Sequence, residues 1–297
     1  MTQVIFLKAE NLLLGQVIFG RVVQKKPNGG LDICGFAVVD ILRNTAFHLN
    51  AIQTPYLENI TLIDYYCRII KENYMYFKEL STYLVADAYF SKKKVVDTAV
   101  SLGLHFISRL RDDASIQYIY KGEYSGKGAP KKYDGKVNPH SLDMNHFRKT
   151  LDSDDIKIYS AIVYYGAFEC KINLAVAVFY KNGKEIARKL YFSTDLKQDA
   201  VKIVRYYRSR FQIEFLYRDA KGHCALNSSQ ARSENKLYMH FNAALTAVNL
   251  AKCEHFACGG NEKRPFSMAD YKTMYHNELL MTVFFRRLGI NPDSIKK

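Results

Sequence analysis

An α/β (α+β) fold, in which helices flank a mixed sheet that a β-rich insertion interrupts, is predicted by three features of the chain. Residues 31–41 (LDICGFAVVDI) form a nearly continuous apolar run, the pattern of a buried strand. Residues 44–52 alternate polar and apolar, the period of a half-buried partner strand. Far downstream, Lys181-Asn182-Gly183-Lys184 marks a hairpin, because Asn-Gly suits the left-handed positions of a type I′ turn.

The remaining elements follow in order. Residues 2–7 (TQVIFL) read as the first strand, and the short Asp40–Thr45 link joins the next two strands as a hairpin. Residues 57–78 have helical spacing, and 82–86 (TYLVA) form a strand that ends at Asp87. A helix at 91–102 is closed by Gly103, and 104–110 (LHFISRL) is a further strand. Residues 121–137 (KGEYSGKGAPKKYDGKV) read as a solvated loop. Its Lys131 and Lys132 are equally suited to touching DNA phosphates, which needs no fixed conformation beforehand. Strands at 156–165, 168–180 and 185–193 come next. Thr194 is the expected N-cap of a helix at 197–220, and Ser233 opens another at 234–253. The tail 257–297 holds one amphipathic segment near 273–288, the pattern of core packing.

Composition bounds the function. With 297 residues and 48% apolar content the chain can bury the core of one large domain, or of a domain with an insertion. A net charge of +14 and a pI near 9.3 favour polyanionic partners through counterion release. No run of 18 apolar residues marks a membrane span, and the N-terminus lacks the features of a secretory signal. The six cysteines, at 34, 67, 170, 224, 253 and 258, form no CxxC pair, as expected of reduced thiols in a cytoplasm. Cys253, His255 and Cys258 lack a fourth zinc ligand at suitable spacing and read as helix-end and loop residues. The histidines show no HExxH arrangement, and no RNP1-type string or GxxG clamp supports RNA binding.

The stretch 207–221 (YRSRFQIEFLYRDAK) is the most informative. Tyr207, Arg210, Glu214 and Lys221 stand at offsets 0, 3, 7 and 14, which at about 100° per residue fall near 0°, −60°, −20° and −40°. One carboxylate therefore shares a helical stripe with an aromatic hydroxyl and two cations, a group suited to holding a metal and a phosphate together. A solvated helix face with an Arg210–Glu214 pair, worth a few tenths of a kcal/mol, accounts for the same spacing. Asp87 is open in the same way: its strand end can project a carboxylate into a cleft, or start a turn or cap a helix.

The spacing Y-x2-R-x3-E-x6-K resembles the signature of one group of insertion-sequence DDE transposases. The likeness continues through "RYYRSRFQIEFLYRDAK" and "QARSENKLYMHFNAALTAVNLAK", and upstream through "GFAVVDILRNTAFHLNAIQTP", "YLVADAYFSKKKVVDTAVSLGLHFISRLRDDA" and "KGAPKKYDGKV", covering roughly residues 20–255. It implies a ribonuclease-H-like catalytic core, its first part at 1–112 and the remainder, with the signature helix, at 195–256. Between them 113–194 would be a β-rich insertion with a basic loop, and 257–297 a helical tail. The implied function is that of a bacterial insertion-sequence transposase, performing metal-dependent DNA cleavage and strand transfer at element ends. Such chemistry uses two divalent ions about 3.5–4 Å apart, Mg2+ or Mn2+, held by oxygen ligands. By the resemblance Asp87 and Glu214 are the second and third catalytic, metal-holding carboxylates, while Arg210, Lys221 and Tyr207 contact terminal DNA phosphates. The implied partners are double-stranded DNA at terminal repeats, target DNA, and a second copy in a homodimer on DNA, for which the tail at 273–288 offers a surface. The implied location is cytoplasmic and nucleoid-associated.

The resemblance fails at the first carboxylate. Residues 1–31 contain no Asp, whereas the family pattern puts one at about Met1 to Gln3. Glu10 is the only early carboxylate; Asp32 and Asp40 fall on the second strand and Asp64 on a helix, and none is a convincing substitute. The helical DNA-binding region that precedes this point in the family is missing too. The expectation is a truncated or decayed copy, weak or dead as a nuclease. The alternative reading is therefore a catalytically inactive DNA-binding remnant that still occupies element ends.

Overall fold

A computed structural model describes residues 3–12, 31–54, 59–124, 126, 128–260 and 265–291. The chain begins with strands β1 (Gln3–Leu12), β2 (Leu31–Asp40) and β3 (Thr45–Gln53). Helix α1 (Leu62–Phe77), strand β4 (Tyr83–Ala86), a 3-10 turn at Ala88–Phe90, helix α2 (Lys93–Ser101) and strand β5 (His105–Leu110) follow. Here β1, β2 and β3 form an antiparallel meander, while β4 lies parallel to both β1 and β5. The order β3-β2-β1-β4-β5 with these directions makes the fold ribonuclease-H-like.

Six more strands come next: β6 (Ile116–Ile119), β7 (Tyr133–Lys136), β8 (Arg148–Asp152), β9 (Ile156–Tyr165), β10 (Cys170–Lys181) and β11 (Lys184–Ser193). They extend the same sheet, because β11 pairs antiparallel with β5 through Leu190↔Leu110 to Ser193↔Ile107. Among the described residues, eleven strands thus form one sheet. Asn182 (φ 52°) and Gly183 (φ 73°) make the expected left-handed turn between β10 and β11. The helices α3 (Ala200–Ser209), α4 (Gln212–His223), α5 (Glu234–Ala257) and α6 (Met268–Arg287) complete the chain.

Strand parity sorts the core into two layers. Val85, Ile107 and Tyr191 bury against Ile203, Val204, Ile213, Leu216 and Phe241 from α3, α4 and α5. Their strand neighbours Leu84, Ala86 and Phe106 bury on the opposite face with Tyr66 and Ile70 of α1 and Val95 and Val96 of α2. On the first face Tyr217 of α4 lies directly over Gly35 of β2, where an added Cβ would stand 1.9 Å from the tyrosine oxygen.

The outer edge of β3 is covered by α5. Asn242 Nδ2 donates to the Ala51 carbonyl and its Oδ1 accepts from the Ala51 N–H, both at 2.9 Å. Asn249 does the same for His48, both at 2.8 Å, and Lys252 Nζ donates to Ala46 O at 2.7 Å. Two helical turns rise about 10.5 Å and three strand residues about 10 Å, so asparagines seven apart meet backbone groups three apart. Two amides thus stand in for a further strand along an edge that would otherwise be open.

Several expectations are corrected. The single helix at 197–220 is two, broken at Arg210 and Phe211. There the i→i−4 ladder gives way to three-residue bonds, Arg210 N–H to Tyr207 O and Phe211 N–H to Arg208 O, both at 3.2 Å. Ser209 Oγ, bonded back to Arg205 O at 2.9 Å, is the kind of internal competition that bends helices. The N-cap is Asp199, which accepts from Val201 N–H and Lys202 N–H, and not Thr194, whose Oγ1 accepts from Phe106 N–H in the sheet. The expected helix at 91–102 is a 3-10 turn followed by α2. The loop at 121–137 ends in β7, and β6 and β8 were not foreseen. The expected strand at 2–7 and helix at 57–78 begin outside the described residues, as do the tail segments 261–264 and 292–297. The tail joins the core only at the start of α6, through Met268 and Tyr271, and the segment expected to pack at 273–288 leaves Leu279, Leu280, Met281 and Phe284 exposed.

Candidate functional site

Asp87 follows the last residue of β4, where the parallel strands end and α4 crosses the same face. Register places its neighbours. Val85 pairs with Ile107, so Asp87 is level with Arg109 of β5 and shares its face. Leu7 pairs with Ala86, so the position level with Asp87 on β1 is Lys8. Gln3 lies five residues back, roughly 16 Å toward the opposite end of the sheet. Asp40 serves the β2–β3 turn, where it accepts from the Leu42 and Arg43 N–H groups at 2.9 and 3.1 Å. Arg43 helps hold its carboxyl below the usual range, against burial that pushes it up.

Asp87 both caps a turn and lies near Arg210. Its Oδ1 accepts from Ala88 N–H at 2.6 Å, at the start of the 3-10 turn. Its Oδ2 lies 3.9 Å from Arg210 Nη1, and the same nitrogen lies 3.5 Å from Glu214 Oε1. Residues more than a hundred positions apart thus flank one guanidinium nitrogen. Beneath Asp87, Ser108 Oγ donates to Ala86 O, and Ser91 Oγ donates to Ser108 Oγ, each at 2.8 Å. This buried hydroxyl chain ties the Asp87 turn to β5.

The helix break keeps the signature together. Three-residue spacing eclipses side chains in a 3-10 turn, and Arg210 lies over the Tyr207 ring at 5.8 Å. Tyr207 packs on Tyr191 at 5.0 Å, and Tyr191 is the register partner of Arg109. Burial pushes the Tyr207 hydroxyl up, Asp87 pushes it further, and Arg210 and Arg109 partly offset both. The Nε atoms of Arg109 and Arg210 are buried with no hydrogen-bond partner.

The structure therefore brings together Asp87, Glu214, Arg210 and Tyr207. Lys221 is half-buried in the last turn of α4, about 10 Å along the axis from Glu214. Lys131 and Lys132 are not brought to this group: they sit beside β7, six strands from β4 and roughly 25–30 Å away. Lys131 instead pairs with Asp134 at 2.7 Å and lies over Tyr120 at 4.8 Å. Arg109 is the residue that sequence reasoning missed. Its signal was present in the strand LHFISRL, two residues beyond a core isoleucine just as Asp87 is two beyond Val85.

The donor set does not fit two divalent ions. Among the described residues, no group of three or more His, Cys, Asp or Glu side chains is placed to hold a metal. Mg2+ is commonly held by one or two carboxylates plus water and substrate phosphate, and Asp87 and Glu214 could supply that for one ion. A guanidinium nitrogen, however, lies within 4 Å of both.

The family described as "Transposase DDE domain" matches residues 62–250. The chain belongs to this family. The match spans β4, β5, α3, α4 and most of α5, and leaves out β1. Proteins of this family generally use divalent metal ions. A search of curated proteins finds no match. Among solved structures the chain is similar to one titled "Cryo-EM structure of piggyBac transposase synaptic complex with hairpin DNA", at 13% identity and a TM-score of 0.42, covering 97% of this chain and 54% of that one. The chain thus spans about half the length of that protein. Among the described residues no helix is long and apolar enough to cross a membrane.

Proposed function

We propose that the chain is an insertion-sequence transposase that engages double-stranded DNA at element ends, with Asp87 and Glu214 as carboxylates of a cleavage and strand-transfer site. One observation carries this reading: Asp87 and Glu214 flank a single Arg210 nitrogen at the open end of the parallel strands. In this reading Arg210 and Tyr207 contact the terminal phosphates, Lys221 a phosphate further along, and Lys131 and Lys132 a more distant stretch of the duplex. The core at 1–112 and 195–256 carries the site, the insertion at 113–194 extends the DNA-facing sheet, and the tail at 257–297 serves pairing of two copies on DNA. A bacterial, nucleoid-associated setting and Mg2+- or Mn2+-dependent cleavage belong to the same reading.

A second reading is favoured by one specific observation: among the described residues no third carboxylate joins Asp87 and Glu214 in a group placed to hold a metal. On that reading the chain binds element-end DNA without cleaving it. Nicking of labelled element-end DNA in Mg2+ or Mn2+, by the wild-type chain beside Glu214→Ala, separates the two. Nicking lost in Glu214→Ala supports the enzyme. Binding without nicking by either chain supports the second reading. Absence of both refutes a role on DNA ends.

A further inference from the structure

We infer that the chain pairs with a second copy of itself in the absence of DNA, through the outer face of α6 laid antiparallel against the same face of the other copy. The inference goes beyond the pairing of copies on DNA proposed above, because it needs no nucleic acid and does not depend on the site at Asp87.

Spacing along α6 makes the face. Met274, Asn277, Met281, Phe284 and Leu288 follow one another at alternating steps of three and four residues, the seam period of a coiled coil. At about 100° per residue they fall within an arc of about 80°, and all five are exposed. Met268 and Tyr271, which join α6 to the core, lie roughly 130° around the helix from the middle of that arc. The body of the same copy therefore docks on one side of α6 and leaves the seam on the other.

Area and charge select the occupant. Between Met274 and Ile290, nine large apolar side chains are 38–61% exposed. They leave roughly 800 Å² of apolar surface in water, above the ~300–600 Å² of the largest patch on a typical monomer and about one partner's share of a standard interface. Asp270 lies in the first turn of α6 and Glu278 near its middle, while Arg286 and Arg287 lie in the last turn. An antiparallel pair sets each acidic half beside the arginines of the other copy, whereas a parallel pair crowds four arginines together. In the antiparallel register Met281 of each copy faces Phe284 of the other, a sulfur–aromatic contact made twice about one twofold axis. Asn277 then falls in the outermost layers of the seam, where water reaches it.

The test is sedimentation velocity of the full chain, freed of nucleic acid by nuclease, at micromolar loading. The expected result is a species of twice the chain mass with a micromolar or tighter Kd. Phe284→Glu should raise that Kd at least tenfold, since it puts a charge into the seam twice. It should leave the circular dichroism spectrum unchanged, because the side chain is exposed in a single copy. Met281→Lys is the variant to read if Phe284→Glu loses helix. Arg286→Glu together with Arg287→Glu should weaken pairing about tenfold at low salt and much less at high salt. A wild-type chain that sediments as one copy overturns the inference in favour of another cover for α6, and leaves pairing on DNA standing. Pairing that survives Phe284→Glu overturns it too, since another surface then holds the copies. Pairing unchanged or tightened by loss of the two arginines overturns the antiparallel arrangement.

Discussion

Replacing Asn242 with Ala strips four hydrogen bonds from one side chain and leaves three buried groups without partners. Its amide oxygen accepts from Ala51 N–H and from His48 Nε2, each at 2.9 Å, and its amide nitrogen donates to the Ala51 and Tyr238 carbonyls, also at 2.9 Å. The Tyr238 carbonyl is at the exposed start of α5 and can turn to water. Ala51 is fully buried and His48 is 6% exposed, so the Ala51 N–H, the Ala51 carbonyl and the His48 ring nitrogen are stranded. At about 1–3 kcal/mol for each buried unsatisfied group, with some relaxation toward water, the expected loss is about 4 kcal/mol. That is a large share of a typical domain stability of about 5–15 kcal/mol. Asn242→Asp keeps the acceptor but turns a carboxylate oxygen onto the Ala51 and Tyr238 carbonyls, so at neutral pH its loss should be at least as large. Urea unfolding followed by circular dichroism measures both, and sedimentation velocity reports whether a freed β3 edge associates. An Asn242→Ala loss below about 1 kcal/mol, with an unchanged sedimentation profile, would refute the argument that α5 seals the sheet edge.

Two further predictions concern pH. Burial lowers the folded pKa of His48 to about 4 from an ordinary 6.5, against a partial lift from Asn242. The unfolded chain takes up this proton first, so stability is whole above about pH 6.5 and lost as pH falls toward 4. The loss is about 3 kcal/mol; His48→Gln should flatten the urea midpoint measured across that window. Lys252 is also depressed by burial, to about 8 from 10.5. Its charged form is disfavoured in the fold, so stability should rise between pH 8 and 10.5, a rise that Lys252→Met abolishes.

Much of this architecture was legible because it follows from local patterns. The runs around Ile33–Val39 and Leu84–Ala86 are apolar because both faces of those strands are covered, and Asn182-Gly183 fits only one kind of turn. Asp87 and Glu214 were legible for the same reason: each sits where a strand end or a helical stripe aims it. What stayed hidden depends on distant partners. The break at Arg210 leaves the apolar period of the helix intact, and the Ser209 hydroxyl that bonds back to Arg205 O beside it reads locally as merely polar. Arg109 becomes a site residue only through its register with Asp87. Asn242 and Asn249 look like a solvated helix face until β3 is laid beside them. Strands β6 to β8 are short and rich in Lys and Tyr, so their pairing with β9 and one another, not their composition, makes them strands. Lys131 and Lys132 lie in a basic loop that the sheet carries away from the carboxylates.

Gly35 acts as a shim. The separation between β2 and α4 equals the thickness of a backbone that carries hydrogen where every other residue carries carbon, and Tyr217 rests on that gap. Tyr217 lies three residues beyond Glu214 on the same helix, so a methyl at position 35 meets the tyrosine hydroxyl first and must displace that buried ring. The carboxylate-bearing helix thus rests on a strand that contributes neither carboxylate, through the one residue type that leaves room for the ring.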